Sequence, residues 1–210
     1  MFGNFQGELI TIEGIDGAGK TTQAKLLVKY LREKGKKVLH TKEPGGSDIA
    51  YKIRSILLNP NYRIDKYTEL FLYLAARADH TKKVILPGLE KYDIIICERF
   101  IDSTLAYQGF GEGIDIELIH KLNSLAACGI TPKLTILLDR EITKLNHQDK
   151  DRIESKSLEF HKKVREGYLL LSKKFPERIK IIKVDNLQIQ QTQNIIRNYI
   201  EDLCKNKRKY

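Results

Sequence analysis

Residues that build disulfide scaffolds or protein-only metal sites are scarce in this chain. Cysteine occurs three times in 210 residues, at Cys97, Cys128 and Cys204, with no CxxC spacing. That argues against a disulfide framework and against a zinc site, and leaves reduced thiols as the expectation. The five histidines form no HExxH-type pair. No stretch reaches the roughly 18 uninterrupted apolar residues of a membrane helix. The start, MFGNFQGELI, shows neither a basic leader nor a long apolar run. The expected location is therefore the cytoplasm, without a membrane partner. No repeat, low-complexity tract or linker divides the chain, so one domain over residues 1–210 is expected. Acidic residues are also in deficit, 27 against 37 basic ones, for a formal charge of +10. Such a surplus suits nucleic acid or small polyanions such as nucleotides, and part of it lies in the tail CKNKRKY.

What is present alternates. The runs ELITIE (Glu8–Glu13), KVLHT (Lys37–Thr41), DIIIC (Asp93–Cys97), LTILLD (Leu134–Asp139) and IKIIKV (Ile179–Val184) are short and rich in Val, Ile and Leu. Runs of this kind suit strands buried on both faces of a parallel sheet. Between them, Ala24, Leu27, Val28 and Leu31 recur at helical spacing, as do Ile196, Tyr199, Ile200 and Leu203. The stripe Ile119–Leu122–Ala126 ends before Gly129 and Pro132, a helix stop. Strand–helix alternation predicts an α/β fold, a three-layer α/β/α arrangement around a mainly five-stranded parallel sheet. Ligands then belong at the carboxyl ends of the strands.

The stretch GIDGAGKTT, Gly14 to Thr22, follows the first strand and precedes the first helical stripe. It fits G-x-x-x-x-G-K-[ST] in the context that gives that motif meaning. Its glycines let backbone N–H groups converge on phosphate oxygens at a helix N-terminus. Lys20 can reach the β- and γ-phosphates, and the Thr21 hydroxyl can ligate Mg²⁺. A chance match in a chain of this length is about a one-in-a-hundred event at ordinary residue frequencies. The loop, Gly14, Ile15, Asp16, Gly17, Ala18, Gly19, Lys20, Thr21 and Thr22, is assigned to ATP. No N-K-x-D guanine motif occurs, and a large motor ATPase would need more chain. Small phosphate-loop enzymes of this size are typically nucleoside or nucleotide kinases.

Four motifs stand in register: EGIDGAGKTTQ, KEPGG (Lys42–Gly46), LFLYLAARADH (Leu70–His80) and CERFIDSTLAYQG (Cys97–Gly109). Together they resemble the thymidylate kinase family, from Glu8 to about Tyr168. The resemblance implies phosphorylation of dTMP to dTDP by ATP with Mg²⁺, on a phosphate-loop kinase fold that works as a homodimer. It places Asp16 near the sugar 3′-hydroxyl, Tyr73 against the thymine ring and Arg77 at the base carbonyl O4. Here the aromatic is Tyr where the family commonly has Phe. Tyr73 and Arg77, four apart, share a helix face. Arg54 is implied at the acceptor phosphate. Glu43 organises the site from a loop that Pro44 and two glycines shape. Arg99 would bridge the acceptor and transferring phosphates, and Glu98, where the family usually has Asp, would hold Mg²⁺-bound water or orient Arg99. Ser103, Thr104, Tyr107 and Gln108 line the base and sugar pocket, with Tyr107 set to disfavour a ribose. The implied catalytic set is Lys20, Glu98, Arg99 and Arg152, and the implied metal ligands are Thr21 and Glu98. The stretch VDNLQ (Val184–Gln188) falls where the family cradles adenine.

An anionic acceptor needs no strong general base, which agrees with the absence of an obvious one. Charge neutralisation falls to Lys20, Arg99 and a lid at about 140–153. Since Gly17 holds the loop position where some family members carry an arginine, a lid arginine is expected. The segment LDREITKLNHQDKDRIE is short, and Arg140, Lys144, Lys150 and Arg152 are its candidates, Arg152 first. Phe160, Val164 and Tyr168 read as core positions of the following helix. Two further readings stay open from sequence: a deoxynucleoside or other nucleoside-monophosphate kinase, and a non-catalytic nucleotide-binding regulator. Nucleic acid is not expected as a partner.

Overall fold

The computed structural model describes residues 5–142 and 151–206. Five strands, β1 (Glu8–Glu13), β2 (Val38–Lys42), β3 (Ile94–Glu98), β4 (Leu134–Asp139) and β5 (Ile179–Lys183), form one sheet in the order β2-β3-β1-β4-β5. Every neighbouring pair is parallel. The expected strands are thus all present. β2 and β3 are shifted by one residue, because the ladder runs on to the Lys42–Glu98 pair at the functional edge.

Helices α1 (Lys20–Glu33), α2 (Asp48–Leu58), α3 (Lys66–His80), α4 (Leu86–Lys91), α5 (Ile101–Thr104), α6 (Ile116–Ala126), α7 (Leu158–Lys174) and α8 (Ile189–Asn206) cover the sheet. π-helical turns at Thr81–Ile85 and Leu105–Gly111 continue α3 into α4 and extend α5. The stripe Ala24, Leu27, Val28 and Leu31 is buried, as are Ile196 and Ile200 of α8. These side chains join Ile10, Ile12, Ile136 and Leu138 in the main core. A smaller core of Leu9, Ile85, Leu89, Ile95 and Phe100 fills the opposite side. Cys97 is buried and Cys128 half-buried, both as free thiols.

The chain leaves β1 for β2, returns through β3 beside β1, and then crosses to β4 on the other side. The strand order therefore reverses around β1, and open α/β sheets hold their ligands at the carboxyl end of such a reversal. The glycine loop starts there. Gly14 has φ +139°, and a Cβ on it would come within 2.5 Å of the Leu138 carbonyl oxygen, so the loop can leave the sheet only through glycine.

Candidate active site

Helices α2, α3, α6 and α7 have their first turns capped by the side chains of Ser47, Asp65, Asp115 and Ser157. Helix α1 has no such cap and no acidic residue in its first turn; it begins after Gly19 at φ 90°. Its free N–H groups and positive dipole end face the loop mouth. Gly17, Gly19, Thr21 and Thr22 are exposed there, while Ile15 and Ala18 anchor the loop in the core. Lys20 folds back to donate to the carbonyls of Gly14, at 3.1 Å, and Ile15, at 2.7 Å. Burial, and after it Arg99, push its ammonium down to about 8, against the pull of Asp16, Glu13 and Glu98. It remains charged at neutral pH.

Beside the loop lies an open cavity. Asp16, Glu43, Arg54, Tyr73, Arg77, Arg99, Thr104, Tyr107 and Gln108, every residue expected around the acceptor, line it. Pro44, Leu58, Asp151 and Ile153 contribute further wall.

Arg99 and Asp16 stand where cavity and loop meet. Arg99 Nη2 donates to Asp16 Oδ1 at 2.6 Å and to the Tyr107 hydroxyl at 3.0 Å, and Nη1 donates to the Gly14 carbonyl at 3.0 Å. Burial opposes ionisation of Asp16, yet Arg99 and then Lys20 hold its carboxyl well below the usual range. The backbone of Arg99 sits at φ 67°, left-handed for a residue with a Cβ. Such strain persists only where the surroundings hold it, and here the Arg99 N–H is bonded to the Ile12 carbonyl at 3.0 Å.

At the far end, Arg77 is 2% exposed and almost fully engaged. Its Nε donates to Glu43 Oε2 at 2.8 Å, Nη1 to Thr104 Oγ1 at 2.7 Å and to Asn123 Oδ1, and Nη2 to the Phe100 carbonyl at 2.9 Å. A guanidinium has five N–H donors, so one on Nη2 is left for a ligand. Glu43 also takes His80 Nδ1 at 2.9 Å, and His80 Nε2 meets the Thr41 hydroxyl at 2.7 Å. This chain explains the glycines after Pro44: a Cβ at Gly46, with φ +86°, would come within 2.3 Å of His80. Tyr73 is half-buried and belongs to neither core cluster, so it serves the cavity wall. Arg54 Nη1 donates to the Pro44 carbonyl at 2.9 Å.

Gln108 is buried and donates its amide N–H to Glu69 Oε1 at 2.8 Å. Glu69 fixes the amide's direction, so the Gln108 carbonyl oxygen is the atom offered to the cavity. Glu69 also receives Lys156 Nζ at 3.0 Å and pairs with Arg152 Nη2 at 2.8 Å. Arg152 further donates through Nε to the Leu57 carbonyl at 2.8 Å. The residue expected first as the lid's cation is therefore latched to α2 and α3 and does not line the cavity. Of the other lid candidates, Arg140 is exposed and donates to the Gly17 carbonyl at 2.6 Å, while Lys144 and Lys150 lie outside the described residues.

Glu98 accepts from the Thr21 hydroxyl and meets His40 Nε2 at 2.9 Å. Burial opposes its ionisation, but the hydrogen bonds with His40 and Thr21 keep the carboxyl below its ordinary value. Among the described residues no three His, Cys, Asp or Glu side chains cluster to hold a metal alone. A hydroxyl and one carboxylate beside the phosphate loop nonetheless fit Mg²⁺, which keeps several waters and takes its other ligands from nucleotide phosphates.

A profile of the family described as thymidylate kinase matches residues 12–196. The chain belongs to the thymidylate kinase family. It is 45% identical over 184 residues to a thymidylate kinase of Pelotomaculum thermopropionicum, covering 84% of this chain and 85% of that one. With a thymidylate kinase of Clostridium novyi the identity is 43% over 188 residues, covering 86% and 92%. Among solved structures, the crystal structure of thymidylate kinase from Ehrlichia chaffeensis superposes with a TM-score of 0.79 at 36% identity, covering 93% of this chain and 98% of that one.

Sequence reasoning missed four polar residues that support the site: Glu13, Glu69, His80 and Asn123. A signal existed for two. Glu13 ends a central strand just before the loop, and Glu69 precedes Tyr73 and Arg77 by four and eight positions on one helix face. Tyr168, expected in the core, is buried there, but its hydroxyl also reaches Glu13 at 2.8 Å and Arg99 at 3.3 Å.

Proposed function

We propose that this protein transfers the γ-phosphoryl group of ATP to dTMP, giving ADP and dTDP. The observation that carries the reading is one cavity lined by Tyr73, Arg77 and Gln108 and reaching Arg99, beside an uncapped phosphate loop. The acceptor oxygen is already anionic, so the chain's own groups have to align and neutralise. Lys20 and the loop N–H groups hold the donor phosphates, Arg54 holds the acceptor phosphate, and Arg99 spans the two. Asp16 receives the 3′-hydroxyl. Thr21, and Glu98 through water, would hold Mg²⁺, which would supply positive charge to the donor phosphates. The stretch Val184–Gln188 receives adenine. With soluble nucleotides as substrates, its place is the cytoplasm; no described helix is long and apolar enough to cross a membrane.

Base selection follows from hydrogen-bond polarity. The Gln108 carbonyl accepts the N3–H of thymine, and the spare Arg77 N–H donates to O4. Cytosine reverses both groups. An ADP-release assay should rank dTMP first and dCMP at least about a hundredfold lower in kcat/KM, the penalty of unpaired polar groups in a closed site. Thymidine turning over faster than dTMP would overturn the assignment.

Arg140, not Arg152, supplies charge over the donor phosphates, since it alone among the described lid candidates reaches the loop with donors to spare. Arg140→Ala is expected to reduce kcat by about a hundredfold with ATP affinity within a few fold. Arg152→Ala should instead destabilise the latch on Glu69. Equal kcat losses in both variants would refute this division.

The homodimer reading rests on exposed apolar side chains of two neighbouring helices. Tyr67 and Phe71 project from α3, and Leu118 and the 78% exposed Leu125 from α6. Patches of this kind on a folded chain mark association sites. Light scattering should give twice the chain mass, and Leu125→Glu should halve it.

A further inference from the structure

Glu13, the last residue of β1, is 0% exposed and has no part in the transfer described above. Its Oε1 accepts the Phe100 N–H at 2.7 Å, and its Oε2 accepts the hydroxyls of Ser103 at 2.6 Å and Tyr168 at 2.8 Å. Arg99 Nη1 donates to those same two hydroxyl oxygens, at 3.2 and 3.3 Å. Each hydroxyl has a single proton, a guanidinium can only donate, and a carboxylate can only accept. With Glu13 ionised, both hydroxyl protons turn to Oε2, and both oxygens present lone pairs to Arg99. A proton on Oε2 reverses this polarity: the acid must donate to one hydroxyl, whose own proton turns away. The Ser103 and Tyr168 oxygens are 2.8 Å apart, so the displaced proton turns between them and competes with Arg99 for the hydroxyl lone pairs.

We propose that Glu13 is a positioning residue for Arg99: its carboxylate fixes the hydroxyl directions of Ser103 and Tyr168, which hold the guanidinium in its phosphate-bridging rotamer. The inference rests on the bridging role of Arg99. The charged groups around Glu13 place its proton equilibrium in the working pH range. Burial, and after it Asp102 of α5, push the carboxyl up to about 7, against Ser103, Arg99 and Tyr168. Lys20 at the start of α1 adds to the pull toward the carboxylate, as does Arg178 from beyond Asp102, its partner at 2.6 Å. The Cys97 thiol of β3 stays neutral, since burial raises it well above its ordinary value.

Stability and activity then move in opposite directions with pH. A raised carboxyl contributes stability that is complete below its unfolded value, near 4.5, and is lost as pH rises through about 7. The working form is gained over the same interval. Glu13→Gln keeps the shape and the Phe100 bond but locks the protonated polarity, because its NH₂ donates toward the hydroxyls.

The test compares kcat/KM for dTMP and melting temperature from pH 5.5 to 8.5 in wild type, Glu13→Gln and Tyr168→Phe. The substrate phosphate itself ionises near roughly pH 6 and contributes one rising limb to every variant. Wild type should show a second limb near neutrality. Glu13→Gln should lose it, sit about thirtyfold lower at pH 8, keep its KM for ATP, and melt with less dependence on pH. Tyr168→Phe, which retains the ring, should lower kcat/KM at pH 8 and carries the test if Glu13→Gln does not fold. In the double variant with Arg99→Ala, Glu13→Gln should cost nothing further. A neutral limb that survives in Glu13→Gln, or losses that add to those of Arg99→Ala, would overturn the proposal. An Arg99→Ala enzyme with normal turnover would instead remove the bridging role on which it rests.

Discussion

Arg99→Ala should lower kcat for dTMP by about a thousandfold, in the range found for charge-stabilising donors and arginines at phosphoryl-transfer sites. The reason is position. Arg99 joins the two halves of the site, bonded to Gly14 and Asp16 of the loop while lining the cavity. Two polyanions brought head to head repel each other, and a guanidinium between them offsets that repulsion only if it is already aimed. Arg99 is aimed by a left-handed backbone and by hydroxyls from Ser103, Tyr107 and Tyr168. Lys20 stands 3.7 Å from Asp16, a contact that does not involve Arg99, so the loop should still fold in the variant. ATP affinity, measured by calorimetry, should stay within about tenfold. Arg99→Lys retains the charge but not the planar fork, and should fall between the two. Turnover of Arg99→Ala within tenfold of wild type would contradict the bridging assignment.

Arg77→Ala should act twice. It removes the donor to thymine O4, which should raise KM for dTMP by about a hundredfold or more, as expected when a buried polar contact to substrate is lost. It also strands the Glu43 carboxylate, which is buried and depends on Arg77 and His80 for partners. Burial opposes the charge on Glu43, and Arg77 is the largest of the groups that lower its pKa. Breaking one side of such a pair costs about 3–5 kcal/mol, or roughly 10 °C in Tm for a chain of this size. Glu43→Gln in the Arg77→Ala background should recover part of that stability without restoring dTMP affinity. A melting curve unchanged by Arg77→Ala would show that the buried pair is not holding the cavity wall.

The layout of the molecule was legible because it depends on local pattern. Runs of Val, Ile and Leu about five residues long specify strands buried on both faces, and a 3.6-residue stripe specifies the face a helix turns inward. The glycine loop could be read for a related reason: a left-handed backbone at Gly14 and an uncapped helix start leave few residue types possible. The motifs that resembled a known family, together with Arg54, supplied the residues expected around the acceptor, and all of those line one cavity.

Hydrogen-bond partners were another matter. Glu13 binds side chains 90 and 155 positions away, Arg77 reaches Asn123 46 positions on, and Glu69 gathers Gln108, Arg152 and Lys156. A buried polar group must find a partner somewhere, but composition and periodicity say only that it is buried, never across which gap it is satisfied. The same gap separates Arg152 as sequence suggested it from Arg152 as folded, latched to Glu69 with Arg140 over the loop. The strands, the loop and the residues expected around the acceptor were written in short stretches of chain. Which hydroxyls Glu13 bonds, and which lid arginine reaches the glycine loop, was decided only when distant segments met, because directional bonds between buried groups exist only in three dimensions.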